Sequence, residues 1–120
     1  MVISKINAEH YLWGGDCDGW HLVKAQDLSV IQQRMPSGRG EQCHYHETVR
    51  QCFFVISGEM TVELNNTVFV LKPGESLEVA PGQLHQLRNE ANPDTEYLVI
   101  SQPMTRNDRH DFADKSGAKR

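Results

Sequence analysis

An all-β single domain is what this 120-residue chain predicts, and three observations carry the prediction. Segments in which apolar and polar residues alternate, or β-branched residues run together, fill most of the sequence. Turn-forming pairs separate them at short intervals: Asn65-Asn66, Pro73-Gly74, Pro81-Gly82 and Asn92-Pro93. No stretch of any length carries a convincing helical apolar period.

Taken in order, the predicted strands are WHLVK (20–24), LSVIQQRM (28–35), QCFFVIS (51–57) and MTVELN (60–65). TVFVL (67–71), SLEVA (76–80), HQLRN (85–89) and EYLVIS (96–101) complete the series. Asn tolerates positive φ, so Asn65-Asn66 is expected as a hairpin tip. Eight short strands with little helix call for a sandwich or barrel of antiparallel strands. The expected division is an arm over 1–19, a barrel over 20–106 and a polar tail over 107–120. A short helix is allowed around 6–11 or after Arg106. Trp13 and Trp20, which flank GGDCDG, are expected to pack the arm on the barrel or on a second subunit.

Composition excludes several function classes. Hydrophobic residues are 38% and charged residues 23%, the balance of a globular domain with a polar surface. Net charge is −4 with Lys and Arg spread thinly, so nucleic acid is not an expected partner. No apolar run approaches the roughly 20 residues of a membrane span. The first residues lack the basic start and apolar stretch of a secretory signal, which leads to a cytoplasmic expectation. Three cysteines, Cys17, Cys43 and Cys52, form no disulfide framework and are expected as reduced thiols.

The chemistry concentrates around HYH at 44–46. Alternate residues of a strand share a face, so His44 and His46 can reach one ion while Cys43 and Tyr45 point the other way. If the sheet closes so that Gln51 and His85 also face inward, three imidazoles and an amide surround one point. Neutral imidazole suits zinc, iron, nickel or copper, and three strong protein ligands leave positions for water or a ligand. A lone HxH in a strand is otherwise two polar residues on one face.

The spacing around these residues resembles the cupin family. Gly38, five residues, His44, Tyr45, His46, four residues, Gln51, six residues and Gly58 match its first motif at every interval. Gly74, Gly82, His85 and Asn89 match its second, with Ala80 where the family has proline and Pro81 one position late. Gln51 stands where the family has glutamate. The resemblance implies a double-stranded β-helix, or jelly-roll, barrel with one divalent transition metal (Zn, Fe, Ni, Mn or Cu) between its sheets. It implies His44, His46 and His85 as ligands and Gln51 as the fourth ligand by position. It also implies a homodimer.

Replacing a carboxylate by an amide leaves the ion's full charge facing its ligand, which favours a small anionic molecule in the barrel. Phe53 shares the inward face with Gln51 and is expected in the pocket wall. Gln32 and Arg34 share a face of their strand; inward, they would contact an anion, and outward they are a solvated face, and Arg88 is open in the same way. The acids near the motifs, Glu41 and Glu47, are read as lying in turns, so no general base is expected on the inward face. His10, His21 and His110 are expected at the surface. Metal-dependent dioxygenase or isomerase chemistry is implied as possible by the resemblance; the alternative is a non-catalytic binding or sensing module.

Overall fold

The structure, a computed structural model, describes residues 1–105 and 108–112. Its strands are β1 (Glu9–Trp13), β2 (Cys17–Lys24), β3 (Ser29–Met35), β4 (His44–His46), β5 (Arg50–Ser57) and β6 (Met60–Leu64). They continue as β7 (Thr67–Leu71), β8 (Ser76–Val79), β9 (His85–Arg88), β10 (Thr95–Gln102) and β11 (Arg109–Asp111). Two antiparallel sheets result, of order β1-β2-β3-β10-β5-β8 and β11-β4-β9-β6-β7. No helix occurs among the described residues, and none of them forms a span able to cross a membrane as a helix.

Each of the eight predicted strands is present. Asn65 and Asn66 have φ of 48° and 70°, the two-residue positive-φ tip that lets β6 and β7 pair with their natural twist. The HYH segment forms the short strand β4 that its alternation assumed, and two further strands lie where none was predicted. The segment expected as an arm supplies β1 and the start of β2, and β1 occupies the place of the short helix allowed at 6–11. The segment expected as a tail supplies β11, which pairs with β4. Arg106, Asn107 and residues 113–120 lie outside the described residues.

Between the sheets the core is continuous: Met35, Phe53, Val55, Met60, Val62, Leu87, Tyr97 and Val99 are all buried. Strand β10 shows the period-two rule, with Thr95, Tyr97, Val99 and Ser101 buried and their neighbours not. Burial of such side chains contributes about 1.5–3 kcal/mol each.

The parity of β3 corrects one expectation. Ser29 and Met35 are buried and fix the odd positions inward, so Gln32 and Arg34 face outward. Arg34 is satisfied there, donating through Nε to Asp18 at 2.6 Å and through Nη1 to Asp94 at 2.7 Å. Gln32 donates to Glu96 at 2.9 Å. Neither side chain is available to a ligand in the barrel. Arg88 is likewise held by Glu63 and Glu90. Trp13 turns inward against the core, while Trp20 stays outside beneath the Lys5 ammonium.

Candidate metal centre

Short strand β4 carries His44 and His46 on one face, and β9 brings His85 directly opposite His44. The turn before β9 is fastened to the pair: Gly82, at φ +84° where other residues are strained, donates its N–H to the His46 carbonyl at 2.6 Å. All three histidines are buried, with ring centroids 4.4 Å apart for His44–His85, 5.0 Å for His44–His46 and 5.7 Å for His46–His85. Their ligand atoms lie within 4.8 Å of one another.

Hydrogen bonding fixes the tautomers. The Nδ1 of His44 donates to the Gln42 carbonyl at 2.8 Å, that of His85 to the Gln83 carbonyl at 2.9 Å, and that of His46 to the Asp108 carbonyl at 3.0 Å. A carbonyl only accepts, so each Nδ1 carries the hydrogen and each Nε2 keeps a lone pair. The Nε2 atoms of His46 and His85 are buried without a partner. Burial holds the rings neutral: it depresses His44 to about 3, aided by His85 beside it, and His85 to about 4, and it lowers His46.

Gln51 reaches the same space from the other sheet. On β5 it pairs with Ser101 of β10, and its Nε2 donates to the Ser101 hydroxyl at 3.0 Å. That bond leaves the buried amide oxygen Oε1 unpartnered. Three lone-pair nitrogens and an orphaned carbonyl oxygen form a donor set that a divalent transition ion satisfies. The residues therefore fit the metal that the spacing implied.

A cavity of about 240 Å³ opens beside this set, with His44, His46 and Gln51 in its wall. It is smaller than the roughly 300–1,000 Å³ of pockets for drug-sized ligands, so it suits a small molecule. Phe53 lines it as expected, its ring 5.9 Å from that of His85, and also belongs to the core.

Glu41 lines the cavity too, against the expectation that it sits uselessly in a turn. Its carboxylate accepts from the Leu87 N–H at 3.3 Å and stands 3.6 Å from the His44 ring. Burial pushes its carboxyl up to about 7, against the opposing pull of the Arg109 guanidinium and the Leu87 N–H. Strict alternation from His44 would put Glu41 on the other face, but the backbone of 41–43 is not strand and resets the parity. Arg109 is at the rim, and Tyr11, Trp13 and Gln33 complete the wall from β1 and β3.

A second group, Glu47, Asp108 and His110, is explained by structure. The Asp108 carboxylate accepts the N–H groups of Glu47, Thr48 and Val49 at 3.1–3.2 Å, clasping the C-terminal segment to the β4–β5 turn. His110 stacks on Tyr45 at 4.9 Å. No disulfide joins the three cysteines among the described residues, and Cys43 and Cys52 belong to opposite sheets.

Two antiparallel sheets closed around an interior histidine triad define a protein of the double-stranded β-helix class. The family model described as "Cupin domain" matches residues 31–101, more than half of the chain, and the chain belongs to that family. It is 24% identical over 83 residues to an uncharacterized protein of Methanocaldococcus jannaschii, covering 69% of this chain and 66% of that one. It is 28% identical over 88 residues to an oxidoreductase of Arthrobotrys oligospora, covering 72% of this chain and 33% of that one. The chain thus spans only part of either relative. Among solved structures it resembles a predicted oxalate decarboxylase from Thermotoga maritima, with TM-score 0.76 and 21% identity, over 87% of this chain and 100% of that one. That likeness establishes the fold.

Proposed function

We propose that the chain is a metal-dependent cupin that binds a small anionic molecule inside its barrel. His44, His46 and His85 hold one divalent transition ion through Nε2, and Gln51 offers Oε1 as the fourth ligand. The observation that carries this is the set of three Nδ1 hydrogens committed to backbone carbonyls, which leaves three Nε2 lone pairs clustered in one buried space. Such an arrangement is self-repulsive until an ion occupies it.

When bound, the ion supplies Lewis acidity toward an oxygen of the ligand. Neutral ligands leave its charge undiminished, and Arg109 adds a positive group at the rim, so an anion is favoured on both sides of the cavity. Glu41 is placed to take or return a proton beside the bound molecule. That supplies the acid–base group which isomerase or lyase chemistry needs. The designation of the Thermotoga maritima neighbour as a predicted oxalate decarboxylase supports a small carboxylate as ligand. Elemental analysis of the purified protein should find one divalent transition ion per chain. Oxygen uptake with a redox-active metal would select dioxygenase chemistry; its absence with zinc or nickel would select isomerase-type or purely binding roles. A protein that takes up none of these metals after chelator treatment overturns the reading.

We also infer a homodimer through the outer face of the six-stranded sheet. Ile56 is 43% exposed there, beside half-buried Phe54, Leu98 and Ile100 of β5 and β10. An apolar face of this kind on a small domain is a surface for association.

A further inference from the structure

One row of residues crosses the inner face of the six-stranded sheet. Tyr11 of β1 pairs with Gly19 of β2, Gly19 with Gln33 of β3, and Gln33 with Tyr97 of β10. Residues directly opposite one another on neighbouring strands share a face, so all four look into the barrel. Gly19 is buried in mid-strand, with no turn to require it. A Cβ added there would lie 2.3 Å from Tyr11 Cζ and 2.6 Å from its hydroxyl oxygen. The Tyr11 ring therefore lies across the row, in the space a side chain at position 19 would take.

Hydrogen bonds run along the same row. The Tyr97 hydroxyl donates to Gln33 Oε1 at 2.8 Å, and Gln33 Nε2 donates to the Tyr11 oxygen at 3.0 Å. Burial sets this direction. Tyr97 is 1% exposed, and a reversed amide would leave its O–H buried without an acceptor, at a cost of about 1–3 kcal/mol. Tyr11 faces the cavity, where its hydrogen meets solvent or ligand. Because Gln33 presents only N–H to Tyr11, the Tyr11 hydrogen cannot return along the row. It is not consumed by His21 either: that ring packs 5.1 Å from Tyr11, and its buried Nδ1 has no hydrogen-bond partner.

We propose that Tyr11 donates its hydroxyl hydrogen to an oxygen of the molecule bound in the barrel, aimed by the Gly19 notch and the Gln33–Tyr97 pair. The class it selects is a small carboxylate, or another oxyanion, with an acceptor oxygen to spare beyond any that meets the metal. This deepens the reading of the barrel as a metal-dependent binding site and rests on it. Burial also raises the Tyr11 phenol above its ordinary value, so the donor stays protonated at neutral pH.

The test uses zinc-loaded protein carrying ¹³Cζ-tyrosine, with oxalate as probe. The chain has three tyrosines, and the signal lost in Tyr11→Phe assigns Tyr11. Oxalate should move the Tyr11 signal and leave those of Tyr45 and Tyr97 in place. By calorimetry, Tyr11→Phe should bind oxalate about tenfold more weakly, the scale of a hydrogen bond to a charged acceptor, with zinc affinity unchanged. Tyr97→Phe frees the Gln33 amide to reverse and capture the Tyr11 hydrogen, so it should also weaken oxalate binding from a distance. Oxalate binding with an unmoved Tyr11 signal, or equal binding by Tyr11→Phe, overturns the proposal. So does failure of oxalate, pyruvate and acetate alike to bind at millimolar concentration. Failure to take up zinc is a separate result that overturns the metal reading; oxalate titrated into the metal-free protein then decides Tyr11 by the same signal.

Discussion

The three histidines of the proposed metal site are tuned by carbonyls behind them and by burial around them. Burial keeps His44 and His85 neutral down to about 3 and about 4, whereas an unfolded chain protonates its histidines near 6.5. Between these limits the unfolded state binds more protons, so stability must fall as pH drops from about 6.5 toward 4. Glu41 acts with the opposite sign: its folded carboxyl titrates at about 7 against 4.5, so its contribution is lost as pH rises through that interval. Urea midpoints of chelator-treated protein should therefore decline on acidification, and Glu41→Gln should make the decline steeper. A flat profile between pH 6.5 and 4 would contradict the buried, neutral triad. Gln51 offers a second test at this scale. Gln51→Glu should tighten metal binding by adding a charged oxygen ligand, and should weaken an anionic ligand. At roughly 4 Å and an effective dielectric near 20, one added charge is worth about 4 kcal/mol before relaxation. Ser101→Ala should loosen metal by a few-fold through loss of the bond that orients the amide. Metal titration of the stripped proteins reads all of these. Gln51→Glu binding no more tightly than wild type would place Gln51 beyond reach of the ion.

Strand β11 shows how an element outside the matched region serves the site. Its neighbour Asp108 caps three backbone N–H groups of the β4–β5 turn, and the carbonyl of the same residue orients His46. Asp108→Ala should destabilise the fold by about 1–2 kcal/mol, the scale of a lost side-chain cap, and should lower metal affinity because the carbonyl loses its anchor. Thermal unfolding and metal titration of the variant check the two effects, and an unchanged metal affinity would separate β11 from the site. At this scale the sequence was legible where alternation is regular. Strand β5 could be read to its inward positions, Gln51 and Phe53. Reading failed at β3, where Ser29, Ile31, Gln33 and Met35 offer no cleaner apolar face than their neighbours, so Gln32 and Arg34 had equal standing beforehand. It failed also at Glu41, where three residues outside any strand reset the alternation.

Closure of the whole molecule puts the two sheets' inner faces together and leaves an apolar patch of Phe54, Ile56, Leu98 and Ile100 on the outer face of the larger sheet. Light scattering at micromolar concentration should give a dimeric mass, and Leu98→Lys, which puts a charge at the centre of that face, should give a monomer. A monomeric wild type would remove the dimer from the description. The local chain itself determined the all-β class, the hairpin at Asn65-Asn66 and the shared face of His44 and His46, because strand parity is a short-range property, whereas His85 was placed with them by the family resemblance and by the pairing of β9 with β4. Tertiary structure alone decided what surrounds the histidine triad. Tyr11, Gln33, Glu41 and Arg109 come from segments up to 98 residues apart in numbering, and no local pattern says which of them will share a cavity. Strand order and register place β1 beside β2 and β11 beside β4, and only then do these side chains meet around one small space.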